Sequence, residues 1–378
     1  MGLLQRHLLA SVAAACAAAV GLFGFVLIAG QALRDLLGYV VAGQLDPATA
    51  ARLLGLLVPF VAVYALPIGL LTGVLLVLGR MSSQHEITAM RAAGLSLRYI
   101  ARPVWWIAWV GVALSLALNF EIMPRAQTEY RVTLLEAVRQ NPLNFIVPKT
   151  FVRDFDGFVV YVNERKGSEL KDFWLWKLDT QKRVTGLVRA RRATIALREA
   201  DDRLVLTLFE ASAETRARLD PEDFSKPQPI GNSDSLTVEL PLDGVFRQIQ
   251  AGQKIMFMTF DELRARRTAL LAKGAAASDT ERRDLTRIAV ILSSRAAGSF
   301  AVLAFAVIAV PLGIKVSRKE TSANLGIAVA LVLGYYFLDA LARMLERSPA
   351  LHPEIWVWLP PLLYAVVGGW LFQRVDRA

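Results

Sequence analysis

Hydrophobic and polar positions divide the chain into an apolar block, a polar block and a second apolar block. Leu8 to Leu33 is an uncharged run of 26 residues, long enough as a helix to cross a hydrocarbon layer of about 30 Å. Leu53 to Gly79 is a second such run. Val104 to Phe120 is a shorter third, entered through Trp105, Trp106 and Trp109, whose rings suit a membrane interface. Apolar runs resume at Ala296 to Ile314, Ala323 to Leu338 and Ile355 to Phe372. The pattern predicts six transmembrane helices, three on either side of a polar insert. The first run exceeds the roughly 7 to 15 residues of a signal-peptide core, so it reads as a retained span.

Between the second and third runs lies a polar island, Gly79 to Ser96, with the sequence GRMSSQHEITAMRAAGLS. Ser83, three residues before Glu86, forms an S-x-x-E pair that predicts a capping box at a helix start, and Gly94 supplies the stop. The expected helix covers about Ser83 to Gly94. Glu86, Met90 and Ala93 would share one face, and Ile87, Arg91 and Gly94 the next. A short capped helix on a membrane loop has the form of a docking knob.

The insert alternates apolar and polar residues with the period of strands. Phe151 to Phe155 and Phe158 to Val162 flank Asp156-Gly157, a two-residue hairpin signal. Further strands are expected at Phe173 to Leu178, Val184 to Leu197, Leu204 to Phe209 and Leu236 to Leu240, with turns at Lys166-Gly167-Ser168 and Asp201-Asp202. Glu214 to Asp234, with three prolines, reads as an interrupting loop. Thr259 to Ala272 reads as a helix capped by Thr259 and Glu262. The predicted fold is therefore an α-helical integral membrane protein, three helices plus three, around an all-β insert built as a sandwich or open jelly roll. Its expected divisions are 1–123, 124–286 and 287–378.

Composition strengthens the membrane assignment. The chain is 54% hydrophobic with a mean hydropathy of +0.41, too apolar for a soluble domain of this length. Its one cysteine, Cys16, lies in an apolar run, which leaves no disulfide framework and no thiolate metal site. The net charge of +10 comes from residues flanking the apolar runs, so anionic lipid rather than nucleic acid is the expected partner. With a cytoplasmic N-terminus, that side collects Arg6, Arg80, Arg91, Arg98, Arg102, Lys315, Arg318, Lys319, Arg374 and Arg377. The short loops opposite hold only Arg34, Arg52, Arg343 and Arg347. This bias predicts both termini and the island in the cytoplasm and the insert outside.

Motifs for chemistry are absent. The sequence has no G-x-x-x-x-G-K-[ST] loop and no H-E-x-x-H, and His7, His85 and His352 lie in separate segments, so no nucleotide, metal or other cofactor site is expected. Two features of the spans have a structural and a functional reading. Gly69-Leu-Leu-Thr-Gly73 is a small-residue motif that permits close helix approach. Asp339 and Arg343, four apart, suit a local ion pair; alternatively Arg343, Arg34 and Arg295 rim a cavity and meet the anionic groups of a lipid.

Three segments carry a resemblance: Glu86-Ile-Thr-Ala-Met-Arg-Ala-Ala-Gly-Leu-Ser96, Val310-Pro-Leu-Gly-Ile314, and Ser322-Ala-Asn-Leu-Gly-Ile327 through Tyr335-Tyr336. Together with the span pattern they resemble the lipopolysaccharide-export permeases LptF and LptG over essentially the whole chain. The first segment leans towards LptF. The resemblance implies a heterodimer of two paralogous permeases in the bacterial inner membrane. It further implies a cytoplasmic LptB-type ATPase dimer that binds the ATP and Mg²⁺, an LptC-type periplasmic bridge, and lipopolysaccharide as cargo. In the family the loop between spans two and three carries the helix that couples to the ATPase. Here that maps onto Ser83, Glu86, Ile87, Met90, Arg91 and Gly94, with Glu86 either meeting a basic partner or only completing its own cap. The chain departs from the family at the start of the fourth span, where Leu292-Ser-Ser-Arg295 and Ser299 replace a basic cluster and a proline. A membrane scaffold for envelope proteins and a permease for another lipid are the competing functions.

Overall fold

The computed structural model describes residues 2–35, 45–140, 148–152, 155, 157–179, 181, 183–198, 203–216, 229–241, 255–273, 278–316, 321–344 and 352–377. Six of its helical stretches are long and apolar enough to cross a membrane: Leu3–Gln31, Pro47–Ser83, Leu97–Leu134, Thr280–Lys315, Leu325–Met344 and Pro353–Arg377. The chain forms two compact units, one from 1–32, 54–129 and 253–378, the other from 33–53 and 130–252.

The first unit is helical. The helices, of which 33–35, 47–53 and 130–140 fall in the second unit, are α1 (Leu3–Asp35), α2 (Pro47–Ser83), α3 (Glu86–Ala92), α4 (Leu97–Ala117), a π-helical turn (Leu118–Ile122) and α5 (Met123–Gln140). After the sheet come α6 (Phe260–Ala272), α7 (Asp279–Val316), α8 (Thr321–Met344), α9 (Pro353–Trp356) and α10 (Leu359–Arg377). α2 begins where Asp46 caps it: the carboxylate accepts hydrogen bonds from the Ala48 and Thr49 amides at 3.1 Å, and Pro47 needs no donor at the first helical position. The third span runs past Phe120 because the π-turn keeps the backbone bonded into the amphipathic α5.

Close backbone approach holds these helices together, as it must where lipid tails are as apolar as leucine. A Cβ added at Gly69 would lie 2.6 Å from the Val20 nitrogen, and one at Gly73 2.6 Å from the Cys16 Cα. The small-residue motif is therefore the seat of α1 on α2. Gly368 seats α10 on α7 in the same way, with an added Cβ 2.7 Å from the Ile308 nitrogen. At the centre Phe305, Tyr335 and Tyr364 form an aromatic triangle with centroid separations of 4.9, 5.4 and 5.7 Å. The Tyr364 hydroxyl donates to the Leu331 carbonyl at 2.7 Å. The Thr259 cap also holds, with Glu262 accepting from the Thr259 amide at 2.8 Å.

The second unit contains one antiparallel sheet: β1 (Phe151–Val152), β2 (Phe158–Lys166), β3 (Glu169–Leu178), β4 (Val184–Arg198), β5 (Arg203–Thr215) and β6 (Ile230–Pro241). Its strands pair in sequence order, a meander. A facing second sheet, or the crossing connection of a jelly roll, is not among the described residues. The turn at Gly167 (φ 61°) closes Lys166 onto Glu169. Asp156 and Asp201-Asp202 lie outside the described residues. β5 and β6 extend further than their hydrophobic pattern, since Ile230 pairs with Glu214 and narrows the expected Glu214 to Asp234 loop.

A crease crosses the sheet. The register passes over Asn163, Asp172, Arg191, Glu210 and Asp234 in five successive strands, and Asp172 and Glu210 have φ of 52° and 53°. The inward positions shift by one residue there, from Leu170 to Phe173, Ala190 to Ala193 and Leu208 to Ala211, all buried. Because β3, β4 and β5 shift at the same row, their apolar face stays continuous through the bend. Glu210 also accepts ion pairs from Arg191 at 2.9 Å and Arg192 at 3.6 Å.

Two predictions follow from these contacts. Gly73→Leu drives a side chain into the Cys16 backbone and lowers the melting temperature of the detergent-solubilised protein, whereas Gly21→Ala, which meets nothing within 4 Å, leaves it within a few degrees. Glu210→Val forces a β-branched residue into left-handed backbone and destabilises the sheet by about 1–2 kcal/mol, read by amide hydrogen exchange. Glu210→Gly costs less.

Candidate functional site

The polar island folds as α3, but its start differs from the expectation. α2 continues to Ser83, whose hydroxyl turns back and donates to the Arg80 carbonyl at 2.8 Å. His85, at φ 59° and ψ 11°, breaks the chain between the two helices, and no side chain caps α3. The Ser83–Glu86 capping box is therefore not formed: Ser83 is already committed to the preceding helix. The predicted stop holds. Gly94 has φ +87°, and the bonds from Gly94 N–H to the Arg91 carbonyl and from Leu95 N–H to the Met90 carbonyl, 2.9 and 3.1 Å, form a Schellman motif.

This geometry sorts the residues of α3 by direction. Ile87 is buried in the helical core, and Met90 packs against it, so Met90 does not share a free face with Glu86. Arg91 reaches the carbonyls of Val375 and Asp376 at 3.5 and 3.4 Å, where the end of α10 leaves acceptors without helical partners. Beside it the Ser82 hydroxyl donates to the Ile314 carbonyl near the end of α7 at 2.6 Å. Glu86, Ala89, Ala92 and Ala93 face outward, and Glu86 has no hydrogen-bond or ion-pair partner among the described residues. α3 is thus a platform anchored to the core through Ile87 and to α10 through Arg91, next to an α2 end tied to α7 by Ser82, and Glu86 is its one carboxylate.

A cavity of about 1150 Å³ lies in the same unit, above the roughly 300–1,000 Å³ of ordinary small-molecule sites. Its wall along α7 runs from Arg283 through Arg287, Ile291, Arg295 and Gly298 to Ala301, roughly 27 Å of helix. Phe60, Val63, Tyr64 and Pro67 of α2 and Tyr335 and Tyr336 of α8 supply apolar surface, while Arg266, Asp284, Asp339 and Arg343 add charge. Most of that charge is neutralised locally. Arg343 pairs with Asp339 at 2.9 Å, and Arg266 with Asp284 at 2.9 Å. Arg295 donates from its two terminal nitrogens to the carbonyls of Met258 and Met256 at 2.8 and 2.6 Å. Arg283 and Arg287 are exposed and have no partner among the described residues.

The cavity thus brings Arg295 and Arg343 together, whereas Arg34 belongs to α1 and its side chain lies outside the described residues. Arg283 and Arg287 were not singled out by the sequence pattern. Their spacing of four on a helix leading into a span was the available signal. Asn119 was also missed: it is buried within the third span and donates to Ser299 of α7 at 3.2 Å, and a polar residue in an apolar span is a functional cue in its own right.

Six apolar helices with an antiparallel sheet between their sequence blocks define a multi-pass membrane protein with an inserted β domain, the architecture of a membrane permease. The chain belongs to the LptF/LptG family of lipopolysaccharide export system permeases, whose description matches residues 6–374. It is 24% identical over 342 residues to the lipopolysaccharide export system permease protein LptF of Escherichia coli K12, covering 88% of this chain and 85% of that protein. The LptF proteins of Escherichia coli O157:H7 and Shigella flexneri match with the same identity and coverage. Family members are transmembrane permease components of lipopolysaccharide export.

The geometry of α3 separates folding from docking. Ile87→Ala removes buried core volume and costs about 2–4 kcal/mol of stability. Glu86→Ala changes it by less than about 0.5 kcal/mol, since no cap is lost. Thermal unfolding of the two purified variants checks both.

Proposed function

We propose that this chain is the LptF-type permease subunit of an ABC transporter that takes lipopolysaccharide from the bacterial inner membrane and passes it to a periplasmic LptC-type bridge. A paralogous permease completes the membrane dimer, and a separate LptB-type ATPase dimer binds and hydrolyses ATP with Mg²⁺. The six helices divide three and three around a jelly-roll-like periplasmic domain that contains the six-stranded sheet, and both termini are cytoplasmic. The observation that carries the reading is the large cavity with apolar and aromatic walls and, on its α7 side, two arginines without a partner among the described residues. Acyl chains fit the former. Phosphates fit the latter through charge-assisted hydrogen bonds, with Arg34 a further contact from the first span.

In this mechanism ATP binding closes the ATPase and displaces α3 as a rigid body. Its anchors, Ile87 in the core and Arg91 on the end of α10, pass that displacement into the spans, and narrowing of the cavity expels the lipid. Glu86 meets a basic residue of the ATPase. Glu86→Arg is expected to abolish co-purification of the ATPase and ATP-driven lipid export in a reconstituted complex while leaving the fold intact. Export at the wild-type level by that variant would remove Glu86 from the coupling contact. Recovery of envelope proteins in place of an ATPase would favour a scaffold.

A further inference from the structure

Arg295 is 6% exposed on a helix long and apolar enough to span a membrane, where a guanidinium is costly unless its donors are used. Two of them are, on carbonyls 37 and 39 residues earlier in the chain. Those carbonyls belong to a short stretch beginning with the 3₁₀ turn Ile255–Phe257. Ile255 and Met256 of that stretch line the cavity, and Met258 is buried with Leu263, Leu270 and Ile288. One turn further along α7, the Ser299 hydroxyl donates to the Arg295 carbonyl at 2.9 Å. Ser299 in turn accepts from the Asn119 amide at 3.2 Å. Asn119 sits in the π-helical turn Leu118–Ile122, and its amide also donates to the Ser115 carbonyl at 2.9 Å.

The order along the chain gives this arrangement its meaning. The π-turn lies on the segment that leads into the β-rich unit, and 255–258 lies on the segment that returns from it. We propose that Arg295 and Ser299 form a clasp that fastens both the outgoing and the returning segment to a single turn of α7. A displacement of α7 at the cavity wall is then passed to both connections at once. The π-turn suits the outgoing side of such a device, because an extra residue in a turn lets a helix shift its bonding locally without breaking. Arg295 is a positioning residue in this role, distinct from a lipid ligand. The transport consequence rests on the function proposed above; the clasp itself does not.

The test uses the full chain in its reconstituted complex and two mild variants, Arg295→Lys and Ser299→Ala, beside Arg295→Met. Hydrogen exchange is expected to rise about tenfold across 255–263 in Arg295→Met and about threefold in Arg295→Lys, and across 115–123 in Ser299→Ala, with exchange elsewhere in α2 and α7 unchanged. Unchanged exchange at both segments overturns the clasp. Lipid transferred per ATP hydrolysed is expected to fall roughly fivefold in Ser299→Ala, whose side chain does not line the cavity, while ATPase activity and cavity cross-linking to lipid stay at the wild-type level. A purely structural bond would lower assembly and ATPase activity together, and that result, or unchanged transfer, overturns the mechanical role. Failure of the wild-type complex to move lipid would instead overturn the transport reading, and the exchange measurement would still decide the clasp.

Discussion

In an apolar solvent a polar group without a partner has nowhere to turn, and that constraint organises the helical unit of this protein. The buried Arg295 exists only because two main-chain carbonyls arrive to receive it, which in turn fixes the path of the chain at Met256 and Met258. Asn119 is tolerated in its span because Ser115 and Ser299 take up its amide hydrogens. At the opposite end of α7 the Ile314 carbonyl, left over where the helix runs out, is met by Ser82. The contacts of Arg295, of Asn119 with Ser299 and of Ser82 each join segments far apart in sequence. They set the register of the bundle, and the glycine seats at 69, 73 and 368 set how closely the helices meet.

The same constraint explains which parts were legible in the sequence. Span positions follow from uninterrupted apolar runs, which have few alternative meanings, and all six were readable. The Gly94 stop and the Thr259–Glu262 cap were also readable, because each depends on residues within one turn of each other. The Ser83–Glu86 box failed although its spacing was right: α2 did not end where its hydrophobic run ended, and Ser83 was used by the earlier helix. Met90 was misplaced for a related reason, since a seven-residue helix takes its orientation from what its neighbours bury rather than from its own periodicity. The two-sheet insert was expected from alternating strands, but alternation specifies faces and leaves strand order open. The crease left a different trace: an inward pair such as Leu208 and Ala211, three apart, breaks the strict alternation that the strand search rewarded.

The two parts of the site differ in the same respect. α3 could be located from sequence because it is contiguous. The cavity could not, because its wall comes from α2, the π-turn, α5, α7 and α8, and the separation of paired from unpaired charge depends on side-chain geometry. Arg343 and Arg283 look alike as letters. One is answered by Asp339 at 2.9 Å, and the other lines the cavity with no partner among the described residues.

On the function proposed above, a force applied at α3 enters through Ile87 into the core and through Arg91 onto the end of α10, while Ser82 ties the adjoining end of α2 to α7. α7 is one helix from Asp279 to Val316, with Pro311 inside it, carrying the Ser82 contact of α2 near one end and the cavity wall over Arg283 to Ala301, within which the Arg295–Ser299 turn lies. On that same proposed function, a displacement of this helix reaches the cavity and both connections to the β-rich unit together. The π-turn marks where the neighbouring helix can shift its bonding locally.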